Sequence, residues 1–331
     1  MNIGWIQSFQ YLRRYLEEEN FLGWDPFDGL NSKIFQSLPY IKNNKWARLA
    51  WLQFFKRNPI NLRPLFLVPK EENPKGLALF LGGYINLYKK EPKNEYKNII
   101  ADLTSRLIAK RSKGYSGAGW GYNFDWQARA FFQPKYTPTS VATSFAVEAL
   151  LRASTVLDNK GVKDMALSSA AFVLNDLRRS YDKEGDFIFS YSPLDQTQIY
   201  NAGLLGAKTL VLIWQHTREE SILNEALKNY RYVAKNQRPD GSWTYGTLPH
   251  HQWIDNFHTG YNLEAYYVLK KITGTKEFDS VIEKGMEYYL HTFWTEEGIP
   301  KYYSNRIYPI DPHNTAQLII TLTKAGLMDK Y

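Results

Sequence analysis

Apolar positions along the chain recur mostly at helical spacing, which predicts a succession of helices separated by polar, aromatic-rich loops. Ile6 to Leu16 puts Phe9, Leu12 and Leu16 on one face, and Asn44 to Lys56 does the same with Trp46, Leu49, Leu52 and Phe55. The segment 58–76 holds four prolines and reads as an irregular crossing. Gly76 to Lys89 and Lys93 to Arg111 predict a helical hairpin around Glu91-Pro92. Beyond it, two kinds of helix alternate. SVATSFAVEALL (140–151), AGLLGAKTLVLI (202–213) and TAQLIITLT (315–323) are apolar or small nearly all round. The helices expected over Lys163 to Ser180, Glu219 to Asn236 and Lys276 to Phe293 carry charge on one face. Inner and outer helices of a closed ring differ in this way, because the inner ones are covered on both sides.

The stretch from Gln237 to Gly274 shows the repeating unit most plainly. Pro239-Asp240-Gly241 is a tight turn, Trp243 and Tyr245 follow, and His250, His251, Trp253, Asp255 and His258 fall within nine residues. A helix then starts near His258 and stops at Gly274. The same order of tyrosine, polar loop and apolar helix recurs at Tyr122, Tyr191, Tyr245 and Tyr303, spaced 69, 54 and 58 residues apart. The helices that follow begin near Thr139, Asn201, His258 and His313. Units of this length predict stacked helical hairpins. The expected fold is all-α, an α/α toroid of about five or six hairpins, with inner-helix N-termini gathered at one mouth. Residues 1–75 are expected to form an N-terminal helical extension and residues 76–331 the toroid. FIFSYS (187–192) and SWTYG (242–246) read as short hairpin strands at the mouth.

Composition narrows the picture. Of 331 residues, 44% are hydrophobic and 16% aromatic, enough for a large core and incompatible with disorder. No apolar run approaches the roughly 20 residues that span a bilayer, so no stable membrane insertion is expected. Arg13, Arg14 and Glu17 to Glu19 stand where a signal peptide would have its apolar core, which predicts a cytoplasmic protein. Cysteine is absent, which removes disulfides and thiol chemistry. A net charge of +8 favours anionic partners. Basic residues alternate with acidic ones on most polar faces, so nucleic acid is not expected, and an acidic polysaccharide or phosphorylated lipid carrier would use the same surplus. Neither a G-x-S-x-G elbow nor a phosphate-binding G-x-x-x-x-G-K-[ST] loop occurs.

Some residues look familiar. Gln237-Arg-Pro-Asp-Gly-Ser-Trp243 matches the Q-x-x-x-G-x-W pattern of the terpene cyclase and prenyltransferase α/α-toroid superfamily, where it ties an outer helix to the next turn. GWGYNFDWQARAFF (119–132), IDNFHTG (254–260) and YPIDPHNTAQ (308–317) resemble VpsJ-like toroids, bacterial proteins found with surface-polysaccharide biosynthesis. These in turn are similar to glycan-processing α/α barrels such as uronyl C5-epimerases and lyases. The likeness covers residues 75 to 328. It implies a toroid that works on a glycan in surface or capsular polysaccharide biosynthesis. The acidic D-x-D-D run of protonation-initiated cyclases is absent, and so is the cysteine of a prenyl-transfer zinc site.

The candidate chemistry lies in the loops before the inner helices. Asp125, Asp255, Asp311, His258 and His313 are candidate acids and bases, with Tyr191, Tyr245 and Tyr303 beside them. Asp255-x-x-His258 and Asp311-x-His313 each place a carboxylate near an imidazole, which it can orient and make more basic. The alternative is that Asp255 and Asp311 only cap their helices. Asp195 is a further loop carboxylate. Trp120, Tyr122, Trp243 and Trp253 are candidate platforms for sugar rings, or else wedges in the core. Arg129 and Arg306, with Lys135, are candidate clamps for a substrate carboxylate, or ordinary surface charges, and Asn201 is a candidate substrate contact. His250, His251, Asp255 and His258 offer enough ligand atoms for zinc, but without an HExxH helix; no metal and no cofactor are expected.

Three functions remain open. One is a carbohydrate-active enzyme, an epimerase or lyase or a glycoside hydrolase, acting on an oligo- or polysaccharide, with acidic glycans favoured by the charge. Another is a non-catalytic glycan-binding or scaffolding toroid. The third is a terpenoid-cyclase-like enzyme, against which the polar mouth argues. The oligomeric state is not legible.

Overall fold

A computed structural model describes residues 3–129 and 131–330. Its contacts form two compact units. The first takes the residues up to Lys113 together with Trp120–Pro138 and Ala149–Lys163. The second takes Gly114–Gly119, Thr139–Glu148 and Asp164 onward. This partition differs from the expected one at residue 75, since the hairpin after that position groups with the N-terminal residues.

The first unit opens with α1 (Ile3–Glu18), α2 (Lys33–Gln36), α3 (Pro39–Lys42) and α4 (Lys45–Arg57). Asn44 starts α4 by accepting from the backbone N–H groups of Trp46 and Ala47, which have no partner inside the helix. Leu52 packs with Leu30 and Phe35 in a small core that Trp51 and Phe132 flank. The proline-rich crossing is irregular, as its composition predicts, and Arg63 within it holds Asp28 at 2.7 Å. Pro74 sits in the first turn of α5 (Pro74–Lys90), where its missing N–H costs nothing. With α6 (Asn94–Ala109) it makes the expected hairpin, closed by Leu77, Leu81, Ile100 and Leu103. The two-residue strands β1 (Trp126–Gln127) and β2 (Phe132–Gln133) pair antiparallel.

After the loop 114–119 the second unit takes in the first half of α7 (Ser140–Leu157). By length and hydropathy α7 is apolar enough to cross a membrane, but 72% of it is buried, as befits a core helix. The single helix expected over Lys163 to Ser180 is instead α8 (Lys160–Leu167), α9 (Ser169–Ala171) and a π-helical stretch, Phe172–Asp176. The break coincides with the loop 114–119 pressed against it. Ser116 N–H donates to Asp176, and a Cβ on Gly117 would lie 2.0 Å from the Ser168 carbonyl oxygen. Strands β3 (Arg179–Tyr181) and β4 (Phe187–Phe189) form the hairpin that FIFSYS predicts. SWTYG is not a strand; Gly246 makes only an isolated bridge to Ile199.

The helices α10 (Tyr200–Thr217), α11 (Glu220–Lys235), α12 (Asn256–Thr273), α13 (Asp279–Thr292) and α14 (Pro312–Ala325) complete the unit. Gly274 and Gly326 end α12 and α14 in the left-handed conformation. The Q-x-x-x-G-x-W residues work as a fastener. Gln237 Nε2 donates to the Gly241 and Val281 carbonyls, and Trp243 Nε1 donates to that of Val233.

Helices α7, α10, α12 and α14 are neighbours, as the repeat predicts; α14 is covered on one side only, since Thr315, Ile319 and Thr323 are exposed, contrary to its all-round apolar pattern. Lys208 of α10 is fully buried and reaches Glu148 of α7 at 2.9 Å and Glu264 of α12 at 3.0 Å. Lys324 of α14 pairs with the same two carboxylates, and Gln317 donates to Glu264. Glu148, Lys208 and Glu264 each occupy the ninth position of their helix, and Phe145 meets Tyr261, both at the sixth. Near the helix starts, Phe257 and His313, each second in its helix, stack on each other, and Tyr245, which accepts from the first N–H of α10, lies against His258 of the first turn of α12. These helices therefore run parallel, with their N-termini at one end of the unit. Burial by itself would raise the carboxyl pKa of Glu148, but the ammonium groups of Lys208 and Lys324 outweigh it and hold it well below the usual range. Burial opposes the charge of Lys208 too, and Glu148 and Glu264 overcome this to raise it.

Candidate active site

The helix starts are clasped in a repeating way. The first N–H of α7, on Ser140, donates to the Tyr191 carbonyl at 3.0 Å, that of α10, on Tyr200, to Tyr245 at 3.2 Å, and that of α12, on Asn256, to Tyr302 at 3.0 Å. Each of these three helices thus hands an otherwise unpaired N–H to the tyrosine loop of the next repeat, whereas α14 opens on Pro312, which has none. Two of the predicted anchors, Tyr191 and Tyr245, take this part. In the last repeat it falls to Tyr302, one residue before the predicted Tyr303.

This clasp brings the loop before α12 and the loop before α14 together. Tyr245 N–H donates to the Trp253 carbonyl, and the two rings stack at 4.2 Å, 14° from parallel. Asp255 and Tyr303 form a β-bridge, and Tyr303 meets Trp253 edge-on at 5.8 Å. Asp255 is 2% exposed, and it does not cap α12. Its Oδ2 lies 2.7 Å from Nδ1 of His258. A carboxylate only accepts, so Nδ1 carries the proton and a neutral ring keeps its lone pair on Nε2. His258 is half-buried, framed by Tyr245 at 4.8 Å and Phe257 at 4.1 Å.

His313 faces the same aromatic frame. Its ring stacks on Phe257 at 4.3 Å, and Nε2 lies 2.5 Å from the Tyr261 hydroxyl. Asp311 caps α14 through the His313 N–H at 2.9 Å, so capping describes Asp311 and the imidazole pair describes Asp255. The Arg306 guanidinium lies 4.5 Å over the Tyr303 ring and is exposed to solvent. Tyr245, Trp253, Asp255, His258, Tyr303, Arg306 and His313 therefore share one neighbourhood.

Other candidates are placed elsewhere. Trp120 is wholly buried with its indole N–H on the Leu107 carbonyl, and Trp243 is 2% exposed; both are core wedges, not sugar platforms. An indole enclosed with its only donor used has no face left for a ligand. Tyr191 is buried and serves through its backbone. In the first unit, Asp125 accepts from the Lys135 N–H, which ties down its loop, while Tyr122 stacks on Phe124 at 5.4 Å and Arg129 is exposed. Asp195 is buried and accepts from Ser192 and Thr197, a structural loop staple.

Asn201 is buried, and its Oδ1 meets no donor among the described residues. Asn256 and Asn314 share this condition, so the opening turns of α10, α12 and α14 each hold a buried amide oxygen without a donor among the described residues. His251 is buried against Tyr245, and burial, followed by the nearby His250, pushes its pKa down to about 4. Among the described residues no three His, Asp or Glu side chains converge as a metal-holding set. Tyr261, Phe257 and the Lys208 cluster escaped sequence reading. The charges of Lys208 and Glu264 inside otherwise apolar helices were the available signal for the cluster.

No family model matches the sequence, and no curated protein matches it. Solved structures do. A D-mannose isomerase superposes with a TM-score of 0.56 at 15% identity, over 90% of this chain and 86% of that one. A glycosyl hydrolase of family 88 from Bacteroides vulgatus gives 0.57 at 10% identity, over 95% of both chains. An inactive family 76 α-1,6-mannanase from Salegentibacter, in complex with α-1,6-mannotriose, gives 0.55 at 12% identity, over 92% of this chain and 90% of that one. The likeness shows the fold, a mostly helical α/α toroid, as the sequence predicts. All three are carbohydrate enzymes by description.

Proposed function

We propose that the chain is a cytoplasmic carbohydrate-active enzyme of surface-polysaccharide biosynthesis that moves a proton on a carbon next to a carbonyl or carboxyl group of a sugar. The observation that carries this reading is the Asp255–His258 pair. A carboxylate with almost no solvent contact fixes the imidazole so that Nε2 is the available base, and the aromatic frame holds the ring in place. His313, bonded to the Tyr261 hydroxyl, is a second proton carrier, poised to return a proton to the other face or to a leaving oxygen. Arg306 offers a cation for charge that develops on a uronate carboxylate or enolate oxygen. The stacked Tyr245 and Trp253 give a flat apolar wall for a sugar ring.

Hydrolysis needs two available carboxyl groups on either side of the bond. Asp125 and Asp311 are held by backbone N–H groups and Asp255 by His258, which favours proton abstraction over a hydrolase. The test is incubation with uronate-containing and neutral oligosaccharides, and with free aldoses, in deuterated water. Deuterium at uronate C5, an unsaturated product, or deuterium at C2 of an aldose supports the reading. Cleavage of a neutral glycan without exchange rejects it in favour of a hydrolase. Binding without any change rejects it in favour of a scaffold.

A further inference from the structure

Basic and acidic residues do not alternate everywhere along this chain. Between Gly29 and Lys70 there are eight lysines and arginines and no aspartate or glutamate, although 33 acids in 331 residues would place about four there. This segment also turns apolar side chains outward. On α4, Trp46, Ala50, Gln53, Phe54 and Arg57 recur at helical spacing and are all exposed, opposite buried Leu52 and Phe55. Trp46, expected on one face with Leu49, Leu52 and Phe55, is instead 72% exposed, and Lys45 lies 5.8 Å from its ring. Tyr40 and Ile41 on α3, and Ile60, Leu65 and Leu67 in the crossing, are exposed as well.

We propose that this face docks on an anionic lipid surface. Lys33, Lys45, Lys56 and Arg57 are exposed and would meet anionic headgroups. Tryptophan and tyrosine sit well at the headgroup level, and Ile41, Ile60, Leu65 and Leu67 require an apolar layer beneath it. A soluble polyanion matches the charge but has nothing to receive those aliphatic side chains. Helix α1 also exposes apolar residues, Trp5, Phe9 and Leu12, but there Arg13 and Arg14 pair with Glu17 and Glu18 within the helix. Within the segment Arg63 and Lys70 pair with Asp28 and Glu19, but Lys33, Lys45, Lys56 and Arg57 stay exposed, so charge complementarity selects α2–α4.

The test is co-sedimentation of the full chain with phosphatidylcholine vesicles, alone and mixed with phosphatidylglycerol, at low and high salt. Binding is expected only to the mixed vesicles and is expected to fall with salt. Lys45→Gln combined with Arg57→Gln is expected to weaken it about thirtyfold. Trp46→Ser combined with Phe54→Ser is expected to abolish it, while Trp5→Ser with Phe9→Ser leaves it unchanged. All these side chains are exposed, and far-UV circular dichroism checks that each variant is folded. Failure to bind mixed vesicles, or binding that neither α4 variant alters, overturns the proposal. So does a dimer in sedimentation velocity that Trp46→Ser with Phe54→Ser dissolves, which assigns the face to a second copy. Binding to heparin as tight as to vesicles and insensitive to that variant overturns it in favour of a soluble polyanion.

Discussion

Oδ2 of Asp255 and Nδ1 of His258 lie 2.7 Å apart, and this contact replaces the helix cap that Asp255 was placed to make. An aspartate at a helix start ordinarily accepts from the second or third backbone N–H. Here Asn256 N–H is taken by the Tyr302 carbonyl, and the carboxylate turns to the imidazole one turn along. A structural aspartate has become one that fixes a tautomer.

Asp255→Asn is accordingly expected to lower kcat by about 10²- to 10⁴-fold, because an amide can donate to Nδ1 and so move the proton to Nε2. His258→Gln is expected to fall as far. Deuterium exchange into substrate measures both. Circular dichroism spectra matching the parent would separate lost chemistry from lost folding.

The Tyr245–Trp253 stack is expected to act in binding. Trp253→Ala should raise KM roughly tenfold with a smaller change in kcat, since a wall contacts ground state and transition state alike. A pure kcat loss with unchanged KM would contradict a platform role.

Lys208 is the central cation of a buried cluster, so Lys208→Met strands charge on Glu148 and Glu264. A loss of about 3–5 kcal/mol is expected in denaturant unfolding. Adding Glu264→Gln should recover part of it, because the stranded carboxylate is then gone. Strictly additive losses would mean the cluster does not act as a unit.

Gly241 has φ of +88°, and a Cβ there would lie 2.2 Å from the Lys284 carbonyl oxygen. Gly241→Ala therefore combines strain with a clash against backbone that cannot swing away. A loss above about 3 kcal/mol, read from thermal unfolding, is expected.

His251 sets an acid limit on stability. Its folded pKa is near 4, while an unfolded histidine takes up its proton near 6.5. Below pH 6.5 the unfolded chain binds the extra proton first, so stability falls as pH drops from 6.5 to 4 and is unaffected above that range. Allowing for residual solvent at the ring edge, the loss is on the order of 2 kcal/mol. His251→Gln should flatten this limb. An unchanged pH profile would show that the ring stays solvated in the native state.

Much of this protein is local, and the local part was legible. The helix starts at Asn44 and Asp311, the stop at Gly274, and the division into all-round apolar and one-faced helices depend on residues within a turn or two of each other. The pairing of an inner helix with the next repeat was legible only in outline, as a spacing of tyrosines. Which backbone carbonyl does the clasping is set by how adjacent repeats stack, so Tyr302 takes the part expected of Tyr303.

Other outcomes belong to the tertiary structure alone. Trp243 and Trp253 sit ten residues apart in the same loop, yet one is sealed in the core because its N–H reaches Val233 and the other lies half-open against Tyr245. Asp255 and Asp311 hold the same position before their helices, yet Asp255 holds an imidazole while Asp311 accepts from a backbone N–H. Lys208 finds its carboxylates 60 residues back and 56 residues on, a match no local pattern encodes. Sequence by itself determined periodicity, caps and the set of groups able to do chemistry. Folding decided which of those groups meet, because a side chain's partner and its solvent depend on neighbours brought in from distant repeats.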